Sequence, residues 1–180
     1  KLLYSSFLNF NSQFGNGYNY PNTTDKISAF FAPAYLTIAT GIDYKPSEMF
    51  SLYVTPVSGK FTFVTDEELS AAGAFGVEPG KKTRAELGAL FKSEFKTPVV
   101  KNVTLNSTLT LFSNYLNNPQ NIDVNWDLAV NMKINDFLSA NFLSNLIYDH
   151  DILVPIDDAG NTGRRVQFKQ LLGVGLSYKF

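Results

Sequence analysis

The segment from Asp123 to Ile134 most constrains what this chain can become. Its even positions are Val124, Trp126, Leu128, Val130, Met132 and Ile134; its odd positions are Asp123, Asn125, Asp127, Ala129, Asn131 and Lys133. Side chains alternate across a strand with a period of two, so this run specifies a strand with one apolar and one polar face. The same pattern resumes at Leu138, Ala140, Phe142, Ser144, Leu146 and Tyr148, opposite Ser139, Asn141, Asn145 and Asp149. Only Asn135, Asp136 and Phe137 intervene, which predicts a tight hairpin.

Extended along the chain, the pattern predicts about eight strands, over 2–14, 31–44, 50–63, 83–96, 103–115, 123–134, 138–149 and 165–180. Most are about twice as long as the strands of ordinary globular domains. Long and short connections alternate: 15–30, 64–82 and 150–164 are long, 45–49, 97–102 and 135–137 are short, and 116–122 is intermediate. Such alternation belongs to an up-and-down barrel with one rim outside the cell. The expected fold is therefore all-β: an antiparallel transmembrane β-barrel, with residues 1–180 forming one domain and the short turns on the periplasmic side.

Both a membrane barrel and a soluble lipocalin-like barrel alternate, so the distribution of side chains has to decide. Large residues crowd the apolar face: Leu36, Ile38 and Ile42; Leu87 and Phe91; Leu105, Leu109 and Leu111; Leu172, Val174 and Leu176. An eight-stranded barrel has no room inside for so many of them. Aromatics, 14% of the chain, gather toward strand ends, with Phe14, Tyr115, Trp126 and Tyr148 at one rim and Tyr44, Phe50, Phe95, Tyr178 and Phe180 at the other. Tyr44, Tyr115, Trp126, Tyr148, Tyr178 and Phe180 are accordingly expected in a lipid-facing girdle. Charges take the opposite parity. Arg84, Glu86, Lys92, Glu94, Lys96, Asp123, Asp127, Lys133 and Lys169 are expected to line the lumen, beside Phe7, Tyr35, Tyr53 and Phe112. Mixed signs and rings favour a plug of ion pairs over a selectivity lining. Lys60 breaks the parity counted from Phe50. Pro56, Ser58 and Gly59 precede it, so either a bulge restores the phase or this segment stands above the membrane.

Composition and motifs exclude more than they assign. The net charge of -1 gives no field for nucleic acid, and zero cysteines remove disulfides and thiolate chemistry. No phosphate loop or dinucleotide fingerprint is present, and no cofactor is expected. His150, the one histidine, lies between Asp149 and Asp151, but no nucleophile motif accompanies it, so it reads as a loop residue and no catalytic residue is assigned. Asp149, Asp151, Asp157, Asp158 and Asn161 offer oxygen ligands without the alternating spacing of a calcium loop, so no metal is assigned. Asp66 to Gly73 reads as a short helix, with acidic residues in its first turn and glycine at its end.

Several phrases carry a family resemblance: Gly17-Tyr18-Asn19-Tyr20-Pro21-Asn22, Phe31-Ala32-Pro33-Ala34-Tyr35-Leu36, Gly73-Ala74-Phe75-Gly76-Val77-Glu78-Pro79, Leu111-Phe112-Ser113-Asn114-Tyr115-Leu116, Pro119-Gln120-Asn121-Ile122-Asp123-Val124-Asn125-Trp126 and Leu146-Ile147-Tyr148-Asp149. Together they resemble an outer-membrane barrel family of Bacteroidota that carries only a domain-of-unknown-function label, and the likeness covers essentially the whole chain. It implies an envelope location and a barrel, and no activity. It also implies about four further strands before Lys1, making this chain the C-terminal part of a roughly twelve-stranded barrel. Family members carry extra residues between the positions of Pro79 and Gly80, and a longer acidic loop near Asp157. The closing Gly173-Val174-Gly175-Leu176-Ser177-Tyr178-Lys179-Phe180 resembles the final strand read by the barrel assembly machinery. The expected function is a non-enzymatic structural or accessory subunit of an envelope complex in the bacterial outer membrane. Its expected partners are the lipid bilayer, the assembly machinery and other envelope proteins. The alternatives are a narrow diffusion channel and a small barrel enzyme acting on lipid or peptide.

Overall fold

A computed structural model describes residues 1–157 and 161–176. The strands are β1 (Leu2–Ser12), β2 (Gly17–Tyr18), β3 (Lys26–Ser28), β4 (Ala34–Ser47), β5 (Phe50–Phe63), β6 (Thr83–Val100), β7 (Val103–Asn114), β8 (Ile122–Lys133), β9 (Leu138–Tyr148), β10 (Val154–Pro155), β11 (Thr162–Gly163) and β12 (Gln167–Leu176). Eight of them form one antiparallel sheet in the order β1-β4-β5-β6-β7-β8-β9-β12. Ribbons β2–β3 and β10–β11 decorate two of the connections. Among the described residues no helix is long and apolar enough to cross a membrane, which says nothing of strands.

The eight long strands are those the alternation predicts, and β5 has the predicted bounds. Two turns are tighter than expected. β4 runs on through Pro46 to pair Ser47 with Phe50. β6 runs on through Pro98, which lies opposite Thr104 beside a register shift, and pairs Val100 with Val103. Lys101 and Asn102 alone make that turn, with Asn102 in the left-handed region (φ 66°) that Asn tolerates. After β8, Asn135 Oδ1 accepts the Phe137 and Leu138 N–H groups, both at 2.8 Å, and so shapes the hairpin. Short turns thus occupy one rim and the longer connections the other.

Register fixes the faces. Trp126 lies opposite Leu146 and Leu109, while Asp127 lies opposite Asn145 and Thr108. A register shift between Thr55 and Ser58 places Thr55, Ser58, Lys60 and Thr62 on one face despite their mixed parity. The bulge keeps its shape because Thr55 Oγ1 accepts the Val57 N–H at 3.1 Å and lies 2.6 Å from the Thr40 carbonyl oxygen. Gly41 and Gly88 flank this bulge, and a Cβ on either would collide with neighbouring backbone, so the strands approach closely here.

The sheet curls. Side chains from all eight long strands, including Phe7 of β1 and Gln167 of β12, line one concave cavity of about 520 Å³. Both edges face that space, yet β1 and β12 each pair with a single neighbour among the described residues. The closed barrel that the alternation predicts is therefore not formed among them.

Apolar burial is unusually placed. The convex face leaves Leu8 69%, Ile42 51%, Val54 44%, Leu172 67% and Val174 70% exposed. The cluster of buried apolar residues comes instead from the connections: Ala29, Ala32, Val64, Leu69 and Val77, with Ala74 and Phe75 packed against them. The short helix expected from Asp66 onward is present as α1 (Glu67–Ala71), and the Asp66 carboxylate caps it by accepting the Glu68 and Leu69 N–H groups.

Candidate functional site

Ionic side chains converge at the long-loop end of the concave face. The bulge in β5 turns Lys60 inward, and its Nζ lies 3.7 Å from Glu86, 3.5 Å from Asp123 and 3.7 Å from Asp149. The ammonium also stands 5.2 Å from the centre of the Phe112 ring. Arg84 Nη2 donates to Glu86 Oε1 and to Asp151 Oδ2, both at 2.8 Å. Asn114 Nδ2 donates to Glu86 Oε1 at 3.3 Å, and Asn117 Nδ2 to Asp151 Oδ1 at 3.1 Å. The cluster therefore ties β5, β6, β7 and β8 to the chain just beyond β9.

Burial makes these contacts consequential. The Glu86 side chain is 1% exposed, and among the described residues its Oε2 has no hydrogen-bond donor; the Lys60 charge is what faces it. A carboxylate taken from water is costly unless charge and hydrogen bonds offset the loss. Lys60 and Arg84 supply part of that offset, two cations against the carboxylates of Glu86, Asp123, Asp149 and Asp151. The 3₁₀ turn Ala74–Gly76 lies against Arg84, and Gly76 (φ 78°) is so near that a Cβ there would strike the guanidinium. The connection carrying that turn is pinned from the side by Lys26, which pairs with Asp66 at 3.0 Å and Glu68 at 3.2 Å. Hydrogen bonding to Lys26, then to the Leu69 N–H, holds the Asp66 carboxyl below the usual aspartate range. Hydrogen bonding to Asp66, then to Glu68, raises the Lys26 ammonium above its usual range.

The nine residues expected on the lumen side separate into three groups. Arg84, Glu86 and Asp123 enter the cluster. Lys92 pairs with its strand-mate Glu94 and stands over the Phe7 ring, while Asp127 accepts from Asn145 Nδ2 at 2.7 Å. Lys133 turns to Asp136 in the adjoining turn; Lys96 and Lys169 are exposed. The buried ionic cluster thus lies at one end of the trough, and Lys92 and Glu94 form a separate pair along it. Lys60, Asp149 and Asp151 complete the cluster, and the parity break in the sequence pointed to Lys60 alone.

Of the expected girdle, Tyr44 is 46% exposed, Tyr115 48% and Trp126 42%, and Trp126 Nε1 donates to Ser107 Oγ at 2.9 Å. Tyr148 differs: it is half-buried, and its hydroxyl lies 3.0 Å from His150 Nδ1. Tyr178 and Phe180, with the last part of the expected assembly signal, lie outside the described residues. The acidic residues considered for calcium are divided. Asp149 and Asp151 face inward to Lys60 and Arg84, whereas both Asp157 oxygens accept from Asn161, at 3.0 and 2.6 Å; Asp158 lies outside the described residues. His150 gives its N–H to Asp123 and its carbonyl to Arg164, so its backbone braces the cluster.

Comparison with protein-family models, with curated proteins and with solved structures found no match for this chain.

Proposed function

We propose that this chain is the wall of an outer-membrane β-barrel with a structural or accessory role, its interior shut at the long-loop end by the Lys60–Arg84 cluster. The observation that carries this reading is the polarity of the sheet. By register, every Asp, Glu, Lys and Arg described in the eight long strands takes the concave parity, while the convex face is an apolar surface with no protein cover. A soluble carrier keeps its apolar residues inside and its charges outside. Exposed apolar patches beyond a few hundred Å² mark contact with another apolar phase, and strands of this length suit a tilted crossing of the hydrocarbon layer. The sequence resemblance to Bacteroidota outer-membrane barrels supports the same reading.

The geometry of the cluster supports the closed reading. Six charged side chains from β5, β6, β8 and the connection after β9 meet there, with the Ala74–Gly76 turn against Arg84. The test uses the full-length protein in its native membranes and in planar bilayers. The expected result is retention in the membrane through high-salt and alkaline washes, with no steady conductance after reconstitution. Release by salt overturns the membrane reading. Steady single-channel conductance overturns the closed reading in favour of a narrow channel.

A further inference from the structure

At the long-loop end of β1, four phenylalanines form a connected row. Ring centres are 5.6 Å apart for Phe10 and Phe31, 5.2 Å for Phe31 and Phe30, and 6.3 Å for Phe30 and Phe14. Although they touch one another, Phe14 is 83% exposed, Phe30 58% and Phe10 48%. In water this is an unfavourable way to spend three rings, and their backbone is nonetheless firmly held. Phe31 adopts φ 53°, a region that bulky residues rarely enter without support from their surroundings. That support is visible. The Phe31 N–H donates to the Gln13 carbonyl, and the Gln13 N–H to the Pro33 carbonyl. Thr65, from the next long connection, donates its N–H to the Phe31 carbonyl and its hydroxyl to the Phe30 carbonyl at 2.9 Å. Ala29 and Ala32, which flank Phe30 and Phe31, and Val64, which precedes Thr65, are buried in one cluster.

The row continues the convex face. Phe10 lies opposite Leu36, and below it Leu8 faces Ile38, Tyr4 faces Ile42 and Leu2 faces Tyr44. From Leu2 to Phe10 the strand rises about 26 Å at about 3.3 Å per residue. Tilted by about 40°, it spans only about 20 Å of the roughly 25 Å apolar band of a membrane barrel. The rings beyond Phe10 supply the missing few ångströms, at the level where aromatic residues gather in such proteins.

We propose that Phe10, Phe14, Phe30 and Phe31 form a preformed lipid ledge, seated at the boundary between headgroups and acyl chains on the long-loop rim. The inference rests on the membrane reading of the convex face and adds where the bilayer ends. The chain has a single tryptophan, Trp126, on that convex face, so one reporter for each claim is at hand.

The full chain is reconstituted in phosphatidylcholine vesicles in which the lipid is brominated either near the headgroup or near the acyl-chain ends. Native Trp126 reports on the sheet; Trp126→Phe combined with Phe30→Trp, and separately with Phe14→Trp, reports on the ledge. The expected result is at least twofold quenching of both ledge reporters by headgroup-proximal bromine, exceeding that by chain-end bromine. Unquenched ledge reporters beside a quenched Trp126 overturn the ledge while leaving the membrane reading intact, and would assign the row to a protein partner. Stronger quenching from chain ends overturns the interfacial placement. If Trp126 is also unquenched, the ledge and the membrane reading fall together. Circular dichroism matching the native chain shows that each variant is folded, and the two ledge positions serve as independent replicates.

Discussion

Lys60 and Asp123, on strands separated by two others in the sheet, approach to 3.5 Å across the concave face. Their meeting requires both the curl of the sheet and the bulge that turns Lys60 inward. It makes Lys60 the common counter-charge of three carboxylates. Lys60→Met should therefore lower unfolding stability by about 3 kcal/mol, the scale expected when one partner of a largely buried ionic group is removed. Adding Asp123→Asn should recover part of that loss, and chemical denaturation of the two single variants and the double variant gives the coupling. Strictly additive effects would show that the contact is incidental.

Gly76 and Gly80 make a matched pair of probes. Both have positive φ, 78° and 81°, but only Gly76 abuts Arg84, whereas nothing lies within 4 Å of a Cβ at Gly80. Alanine at either position carries backbone strain of about 1 kcal/mol. Gly76→Ala should add displacement of the guanidinium from Glu86 and Asp151. Limited proteolysis across 64–82 should therefore be markedly faster in Gly76→Ala than in Gly80→Ala. Equal rates would mean that the turn does not bear on the cluster.

The Lys26–Asp66 contact predicts a pH window for that same connection. Asp66 is depressed, so its contribution is complete above about pH 4 and fades as pH falls through its lowered folded value. Lys26 is raised, so its contribution is complete below about pH 10 and fades as pH rises through its raised value. Protection of the α1 amides from hydrogen exchange, corrected for intrinsic rates, should be greatest between those limits. Asp66→Asn retains a good N-cap and should flatten the acid limb. An unchanged acid limb in that variant would assign it to another carboxyl group.

Adjacent residues on β7 test the two faces. Leu109 lies opposite Trp126 on the convex side, and Thr110 lines the cavity. Arginine facing the hydrocarbon midplane costs about 2–4 kcal/mol. Leu109→Arg should therefore impair membrane assembly or lower stability by that amount, while Thr110→Arg is much better tolerated. The comparison is read from the yield of membrane-integrated protein and from denaturant unfolding in lipid. Equal tolerance would show that the convex face meets water.

How much of this was legible in the sequence varies with the physics involved. The faces of β8 and β9 could be read directly because period two holds from Asp123 to Ile134 and resumes from Leu138 to Tyr148, with Leu143 and Ile147 the apolar exceptions on the polar face. The bulge was legible only as a contradiction, a lysine on the wrong parity after Pro56 and Ser58, and its resolution needed the pairing of Ser58 with Gly88. The cluster was half visible. Arg84, Glu86 and Asp123 share the polar parity, but parity cannot say that Asp151 bends back to meet Arg84, since that depends on the path of a connection. The aromatic ledge was less visible still. Phe30 and Phe31 are consecutive, so alternation would send their rings apart; the left-handed turn at Phe31 brings them together.

The buried cluster of Ala29, Ala32, Val64, Leu69 and Val77 has a consequence for how this molecule comes undone. These residues pack together within the connections, so the crown has an apolar core of its own. The walls hold to their neighbours by edge pairing and, at the crown end, by the Lys60–Arg84 cluster, while their convex side depends on whatever surrounds it. Changing the surroundings, from detergent to bilayer, should shift the melting of the walls far more than that of the crown. Two transitions that separate on transfer between such media are the thermal signature this division of labour should leave.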